Sequence, residues 1–388
     1  HLGAKGAAAA RDGVAIVVSD ATRPLPVAAV LDVLIPFLEQ RGVSRRQVVL
    51  FIGGGLHPPV GDAQQRALLG ERWRQALPVV AHDARDRSNL AYLGTTQRGT
   101  PVWINRRYLD TGLRVAVSVL EPHQFMGFTG GEKAVAIGLA GEDTITANHA
   151  LMRRAGAQIG RVDGNPARQD VNEIGRMARL DWSIIVVLNP QKQPAAVFAG
   201  RPREAHAAAV RWAVRRMQAR AAQPADLVVA SAGGYPKDLN VYQAQKALAA
   251  AARLARPGGE IFLLADCPEG WGDPLFQQTM QSLKSFRTPP EVLADFASRP
   301  FTMGRHKAHL WCRSLAQAHV TLVSAHVTED DARALMVKRV VAPGQANEAI
   351  WRALTRLAAR GRAFVAIMPH AGSVIPVCRG AVPWIAGS

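Results

Sequence analysis

Cysteine is scarce in this chain: Cys267, Cys312 and Cys378 are the only three among 388 residues. An odd, dispersed set argues against a disulfide framework, and a cytoplasmic home is expected. Long apolar runs are missing too. Nothing approaches the ~20 consecutive apolar residues that a bilayer-spanning helix needs, so no membrane partner is expected. The start of the chain shows no signal-peptide core. A strand follows His1 so closely that native residues are expected ahead of it. Acidic residues are the minority, 30 against 47 Lys and Arg, for a net charge of +17. This excess raises nucleic acid as a partner, but the basic residues are spread over predicted helices such as Arg211–Met217 and Arg352–Arg362. With no basic tail and no recognition motif, solvated helix faces explain them, and anionic small substrates fit the charge at least as well. Also absent are C-x-x-C, H-E-x-x-H and any acidic cluster that would cage a metal with protein atoms alone.

What is present is regular alternation. Strands are predicted at Val14–Ser19, Gln47–Ile52, Leu113–Leu120, Trp182–Leu188, Leu227–Ala230, Glu260–Leu264, Val320–Ser324 and Phe364–Met368, with helical spacing between them. Such alternation indicates an α/β fold, and the length suits two domains with largely parallel sheets. The expected boundary is the Ala221-Ala222-Gln223-Pro224 stretch. That gives an N-terminal α/β domain over 1–222 and a C-terminal one over 223–388, whose final residues are free to pack back on the first domain. The active site is expected in the cleft between them.

The informative residues fall just past predicted strand ends, where open α/β sheets place their ligands. Asp20-Ala21-Thr22-Arg23-Pro24 offers a guanidinium fork for a carboxylate or phosphate. Gly53-Gly54-Gly55-Leu56-His57 lets the backbone turn sharply and adds an imidazole. It is neither G-x-G-x-x-G nor a P-loop. Glu121-Pro122-His123, the turn Gly130-Gly131-Glu132-Lys133 and then Asn148-His149 follow the Leu113–Leu120 strand, with Asp143 or Thr144 as the expected helix cap. Each residue alone reads as an ordinary strand-end histidine, solvated lysine or helix-surface group; the joint pattern reads as a site. In the C-terminal half, Gln243 and Lys246 lie on one helix face beside Tyr242. Two imidazoles, an arginine, a glutamine and a lysine suit an α-hydroxy acid, and two bases suit access to both faces of a carbon.

Taken together, these motifs resemble the nickel-pincer lactate racemase family, over nearly the whole chain from Asp20 onward. The most specific piece is E-P-H-x₃-G-x-[ST]-G-G-x-K with its downstream N-H. The resemblance implies a racemase or epimerase of a 2-hydroxy acid that uses a nickel-pincer nucleotide, a pyridinium bisthiocarboxylic acid mononucleotide carrying Ni, loaded by separate biosynthetic enzymes. It implies that Lys133 attaches the cofactor, that Asp20, Gly130 and Gly131 lie with it, and that His149 ligates nickel. His57 and His123 become the acid/base pair, Arg23 the carboxylate holder, and Tyr242, Gln243 and Lys246 the substrate contacts. Hydride would pass from Cα to the pyridinium ring and back to either face. Two positions depart from the family pattern. Ile137-Gly138 replaces an expected Pro-Gly, and His306 stands where lactate-acting members carry a tryptophan, which would admit a larger or more polar substrate. His306 and His309 are otherwise expected on a polar helix face. The competing expectations are a nicotinamide-dependent 2-hydroxy acid dehydrogenase, whose fingerprint turn is not found, and a basic nucleic-acid-binding protein.

Overall fold

The computed structural model describes residues 10–286 and 288–378, and the chain divides after Ala213 into two compact units. In the first, β1 (Val14–Ser19), β2 (Val48–Gly53), β3 (Val79–Ala81), β6 (Leu113–Val119), β9 (Trp182–Leu188) and β10 (Pro194–Gly200) form one sheet in the order β10-β9-β6-β1-β2-β3. All neighbours are parallel except the edge strand β10, which runs antiparallel to β9. Every residue of β6 is buried, as expected of a central strand covered on both faces. Helix α1 (Val27–Glu39) turns Val27, Leu31, Ile35 and Leu38 into the core at four- and three-residue spacing. Helix α2 (Asp62–Ala76) follows β2 and breaks its helical geometry at Gly70, where φ is 72°.

Smaller pieces decorate the carboxyl ends of these strands. β4 (Leu90–Thr95) pairs antiparallel with β5 (Pro101–Asn105), and β7 (Pro122–His123) with β8 (Gly127–Phe128). The short helices α3 (Arg106–Leu109) and α4 (Lys133–Ala136) precede α5 (Glu142–Ala150), α6 (Pro166–Met177) and α7 (Pro202–Met217). Helix α5 starts earlier than expected, with Gly141 at the cap position. Thr144 is not a cap because its hydroxyl is drawn into the core. It donates to the Pro101 carbonyl at 2.7 Å and accepts from the Trp103 N–H at 2.8 Å.

In the second unit, β12 (Ala225–Ser231), β13 (Ala255–Leu264), β14 (Ala318–Val323), β15 (Arg339–Val341) and β16 (Val365–Met368) make a parallel sheet in the order β15-β14-β13-β12-β16. β11 (Gln218–Ala221) pairs separately, in parallel, with β17 (Ile375–Cys378). Strand β13 runs through the expected Gly258-Gly259 turn as one element, its pairing to β12 shifting register between Ala225 and Leu227. Six helices accompany these strands: α8 (Val241–Ala252), α9 (Pro274–Ser282), α10 (Pro289–Ser298), α11 (Arg305–Gln317), α12 (Glu329–Leu335) and α13 (Ala346–Ala358). Small buried residues along α8, from Ala244 to Ala252, let that helix approach its sheet closely. None of the three thiols forms a disulfide, and burial pushes those of Cys267 and Cys312 up to about 12. Among the described residues no helix is long and apolar enough to cross a membrane.

Candidate active site at the strand ends of the first unit

The loop after β1 and the loop after β2 meet through one hydrogen bond: His57 Nδ1 lies 2.6 Å from Asp20 Oδ2. A carboxylate only accepts, so the proton of neutral His57 sits on Nδ1 and its Nε2 carries a lone pair. The other Asp20 oxygen receives the Thr22 N–H at 3.2 Å and its hydroxyl. Burial would raise the Asp20 carboxyl, but the hydrogen bond and charge of His57, the Thr22 hydroxyl and nearby Arg23 together hold it below the usual range. Asp20 thus faces His57, and Arg23 turns elsewhere: its Nη1 donates to the carbonyl and hydroxyl of Thr22, both at 3.2 Å. Gly54 lies against this pair: a Cβ there would sit 3.3 Å from Asp20 Oδ2 and 3.5 Å from the His57 Cβ.

His123 has the opposite ring state. Its Nδ1 accepts the backbone N–H of Met126 at 3.2 Å, so in the neutral ring the proton is on Nε2. The ring meets Phe125 edge-on at 4.7 Å between centroids, and Phe125 meets His149 in the same way at 5.2 Å. His149 donates Nδ1–H to the Ile145 carbonyl at 2.8 Å, which leaves Nε2 as its lone-pair nitrogen. Metal-binding histidines show this arrangement, the second nitrogen fixed by a carbonyl. Among the described residues no cluster of three or more His, Cys, Asp or Glu exists that would hold a metal unaided.

Lys133 opens α4 directly behind the Gly130-Gly131 turn, where both glycines have positive φ (83° and 63°). Burial, with Arg23 and Arg168 nearby, lowers its ammonium from 10.5 to about 7, against an opposing effect of Asp20. The loop after β1, which carries Asp20 and Arg23, therefore acts on this amine. The turn rests on groups that nothing local in the sequence announces. Arg168 from α6 pairs with Glu132 at 2.8 Å, both buried, and donates to the Gly130 carbonyl at 3.1 Å. The Gly131 N–H donates to the Ser118 hydroxyl at 3.1 Å. His206 bonds the Thr129 carbonyl at 3.1 Å through Nε2; burial and Arg168 push its pKa well down, so it stays neutral and donates. Gly138, in the pair that departs from the family pattern, has no room for a side chain: a Cβ would lie 2.1 Å from the Ala134 carbonyl oxygen. The Gly55 N–H donates to the Gly138 carbonyl at 3.3 Å, and a Cβ at Gly55 would lie 3.3 Å from the Ile137 carbonyl oxygen and 3.8 Å from Ile145 Cδ1, one turn before His149. A hydrogen bond thus joins Asp20 to His57, ring contacts join His123 to His149 through Phe125, and the charges of Asp20 and Arg23 act on Lys133.

The remaining expected residues belong to the second unit. Asn240 caps α8 by accepting the Gln243 N–H at 3.0 Å, and Lys246 Nζ donates to Gln243 Oε1 at 2.7 Å, so the expected shared face exists. Tyr242 lies under the Lys307 ammonium at 4.3 Å from its ring centroid. His306 does not sit on a polar helix face. It is buried beside Phe301, at 6.2 Å between ring centroids, and His309 packs near Phe296. The helix is buried nearly all round, Lys307, Ala308, Leu310, Trp311 and Cys312 included, so His306 has no solvated face to occupy.

Comparison with known proteins places this arrangement. The lactate racemase N-terminal domain family matches residues 4–160, and the lactate racemase C-terminal domain family matches residues 220–376. The lactate racemase of Thermoanaerobacterium thermosaccharolyticum is 31% identical over 291 residues, covering 74% of this chain and 67% of that protein. That of Lactiplantibacillus plantarum is 28% identical over 325 residues, covering 82% and 76%. The solved structure of the T. thermosaccharolyticum lactate racemase apoprotein superposes with a TM-score of 0.86 at 27% identity, over 94% of this chain and 86% of that one. A protein from Thermotoga maritima shares the fold at TM-score 0.74 and 19% identity, over 94% and 93%. The chain is an isomerase of the racemase type and belongs to the lactate racemase family.

Proposed function

We propose that this protein interconverts the two configurations at the hydroxyl-bearing carbon of a 2-hydroxy acid, either lactate or an acid with a larger or more polar tail. The observation that carries this reading is the opposed state of two imidazoles, His57 with a free Nε2 lone pair and His123 with Nε2–H. His57 takes the substrate hydroxyl proton at Nε2, and Asp20 stabilises the imidazolium that results. His123 holds the same oxygen by donating Nε2–H, as a neutral imidazole can. When the oxygen becomes a hydroxyl again, the imidazolium returns its proton. Arg23 pairs with the substrate carboxylate, and Tyr242, Gln243, Lys246 and His306 contact the rest of the substrate.

The residues present fit a nickel-pincer nucleotide. A lysine whose amine is lowered to about 7 is a nucleophile at neutral pH, suited to attaching a cofactor carboxyl. His149 offers Nε2 to nickel, and Asp20, Gly130 and Gly131 belong to the loops around Lys133. When bound, this cofactor supplies reversible hydride acceptance at the substrate carbon, so that no carbanion need form beside a carboxylate.

Two measurements test the reading. Protein co-produced with cofactor-making enzymes should contain nickel and an intact-mass adduct. The adduct should be lost in Lys133→Ala and nickel in His149→Ala. Chiral chromatography over a panel of 2-hydroxy acids should then show interconversion. Turnover by protein with neither nickel nor adduct would refute it.

A further inference from the structure

The first unit carries a polar groove of about 950 Å³ between α6, the start of α7 and the Gln97–Arg98 turn, with Glu132 of the Lys133 turn in its wall. Five arginines line it: Arg98, Arg176, Arg201, Arg203 and Arg211. Two of its three carboxylates are already engaged. Glu132 is paired with Arg168, and Glu173 accepts the Gln97 N–H at 3.0 Å. Arg98 donates to neutral acceptors, the Pro166 carbonyl at 3.1 Å and the Gln169 side chain, which leaves its charge uncompensated. Among the described residues the side chains of Arg176, Arg201, Arg203 and Arg211 make neither ion pair nor hydrogen bond. Glu173, whose partner is a neutral N–H, and Glu204 are the two carboxylates left to oppose these five arginines.

The placement sharpens the imbalance. Arg201 and Arg203 flank Pro202, the first residue of α7. The positive end of a helix dipole disfavours cations there and favours an anion, towards which the unbonded N–H groups of the first turn also point. Leu180 and Ala207 add an apolar patch to the wall, and the volume is that of a small-molecule site. We propose that this groove binds a small organic molecule carrying two or more phosphoryl charges. The guanidinium forks would hold the phosphoryl oxygens bidentately, the apolar patch would seat the organic part, and Glu204 would accept from a ligand hydroxyl.

Isothermal titration of the full-length apoprotein tests this, with a nucleoside diphosphate and inorganic pyrophosphate as probes at fixed ionic strength. Saturable one-to-one binding is expected, weakened about tenfold or more in the double variant Arg201→Gln/Arg211→Gln. A second variant, Arg176→Gln, guards against a folding defect in the first, and circular dichroism reports the fold of both. The change Arg352→Gln, at an exposed position on a helix of the second unit, should leave affinity unaltered, since a general loss of positive charge would weaken both variants alike. Pyrophosphate binding as tightly as the nucleotide would still support the phosphoryl site and point to a free polyphosphate. Non-saturable binding, full affinity in the groove variants, an equal loss in Arg352→Gln, or binding of an acidic peptide alone would overturn the proposal.

Discussion

At the scale of single residues, the site combines imidazoles held in set tautomers with a lysine whose amine titrates near neutral pH. Lys133 gives the clearest consequence. With its ammonium lowered to about 7, the amine should react with an acylating reagent at a rate that levels off just above pH 7, where an ordinary lysine would still be gaining; peptide mapping by mass spectrometry reads this directly. The same shift affects stability. Between about 7 and the usual 10.5 the folded chain has shed this proton and the unfolded chain keeps it, so the unfolded state binds more protons and stability rises with pH across that window. Lys133→Met should therefore stabilise the apoprotein most at pH 7 and below, with the gain fading as the pH approaches 10.5, measured by urea unfolding. Asp20→Asn addresses the neighbouring pair. An amide in place of the carboxylate no longer enforces the Nδ1–H form of His57, so kcat should fall by roughly 10²–10⁴ while nickel retention is unchanged. Nitrogen-15 NMR of the imidazoles should show His57 leaving its Nδ1–H form. Loss of nickel in this variant would instead make Asp20 a cofactor contact. His57, His123 and Lys133 stand out as candidates in the sequence because each lies within a few residues of a predicted strand end or glycine turn, and His149 stands out only with the motif upstream of it. Which nitrogen of each imidazole bears the proton was not readable, since the answer lies in Asp20, in the Met126 N–H and in the Ile145 carbonyl.

At the scale of elements, the reactive turn is held by a helix rather than by its own loop. Asn165 caps α6 and its amide donates to the carbonyls of Phe125 at 2.8 Å and Arg161 at 3.0 Å. One side chain therefore ties the helix start to the loop between His123 and His149. Asn165→Ala removes a cap and leaves buried carbonyls without a donor, which should cost about 2–4 kcal/mol in denaturant unfolding. Farther along α6, Gly175 meets Glu132 so closely that an added Cβ would lie 2.5 Å from the Glu132 Cβ. Gly175→Ala should thus push the helix off the Lys133 turn, lowering stability by about 1–3 kcal/mol and slowing acylation of Lys133. These supports were not legible beforehand. The partners lie tens of residues apart in the chain, as with Arg168 and Glu132, and their role is to satisfy buried polar groups, which leaves no periodic signature. The strands and long helices were legible for the converse reason. β6 is a continuous apolar run and α1 repeats its buried residues every three or four positions, patterns that burial itself imposes. Short edge elements such as β3, β10 and β15 escaped because three to seven residues with mixed exposure carry too little pattern.

At the scale of the whole molecule, the chemistry is constrained by symmetry that the protein does not possess. His57 and His123 rest in different tautomers, held by a carboxylate and a backbone amide, so in the proposed reaction the two enantiomers would meet an asymmetric pair of groups. Individual kcat and KM values should accordingly differ between enantiomers. Their ratios cannot. Mirror-image substrates have equal free energies in water, so the equilibrium constant is one and kcat/KM must be identical in both directions, because it measures the same transition state from isoenergetic starting points. Chiral chromatography started from each enantiomer should therefore reach a one-to-one mixture with equal kcat/KM, with no change in nicotinamide absorbance and no net keto acid accumulating. A substrate with a second stereocentre would break the symmetry. Its two forms are diastereomers of unequal energy, and the mixture should settle away from unity by an amount set by the substrate alone, unchanged by any variant of the site. A final ratio that shifts with Asp20→Asn, or that needs added nicotinamide, would mean net oxidation or reduction rather than inversion, and would remove the racemase reading for that substrate.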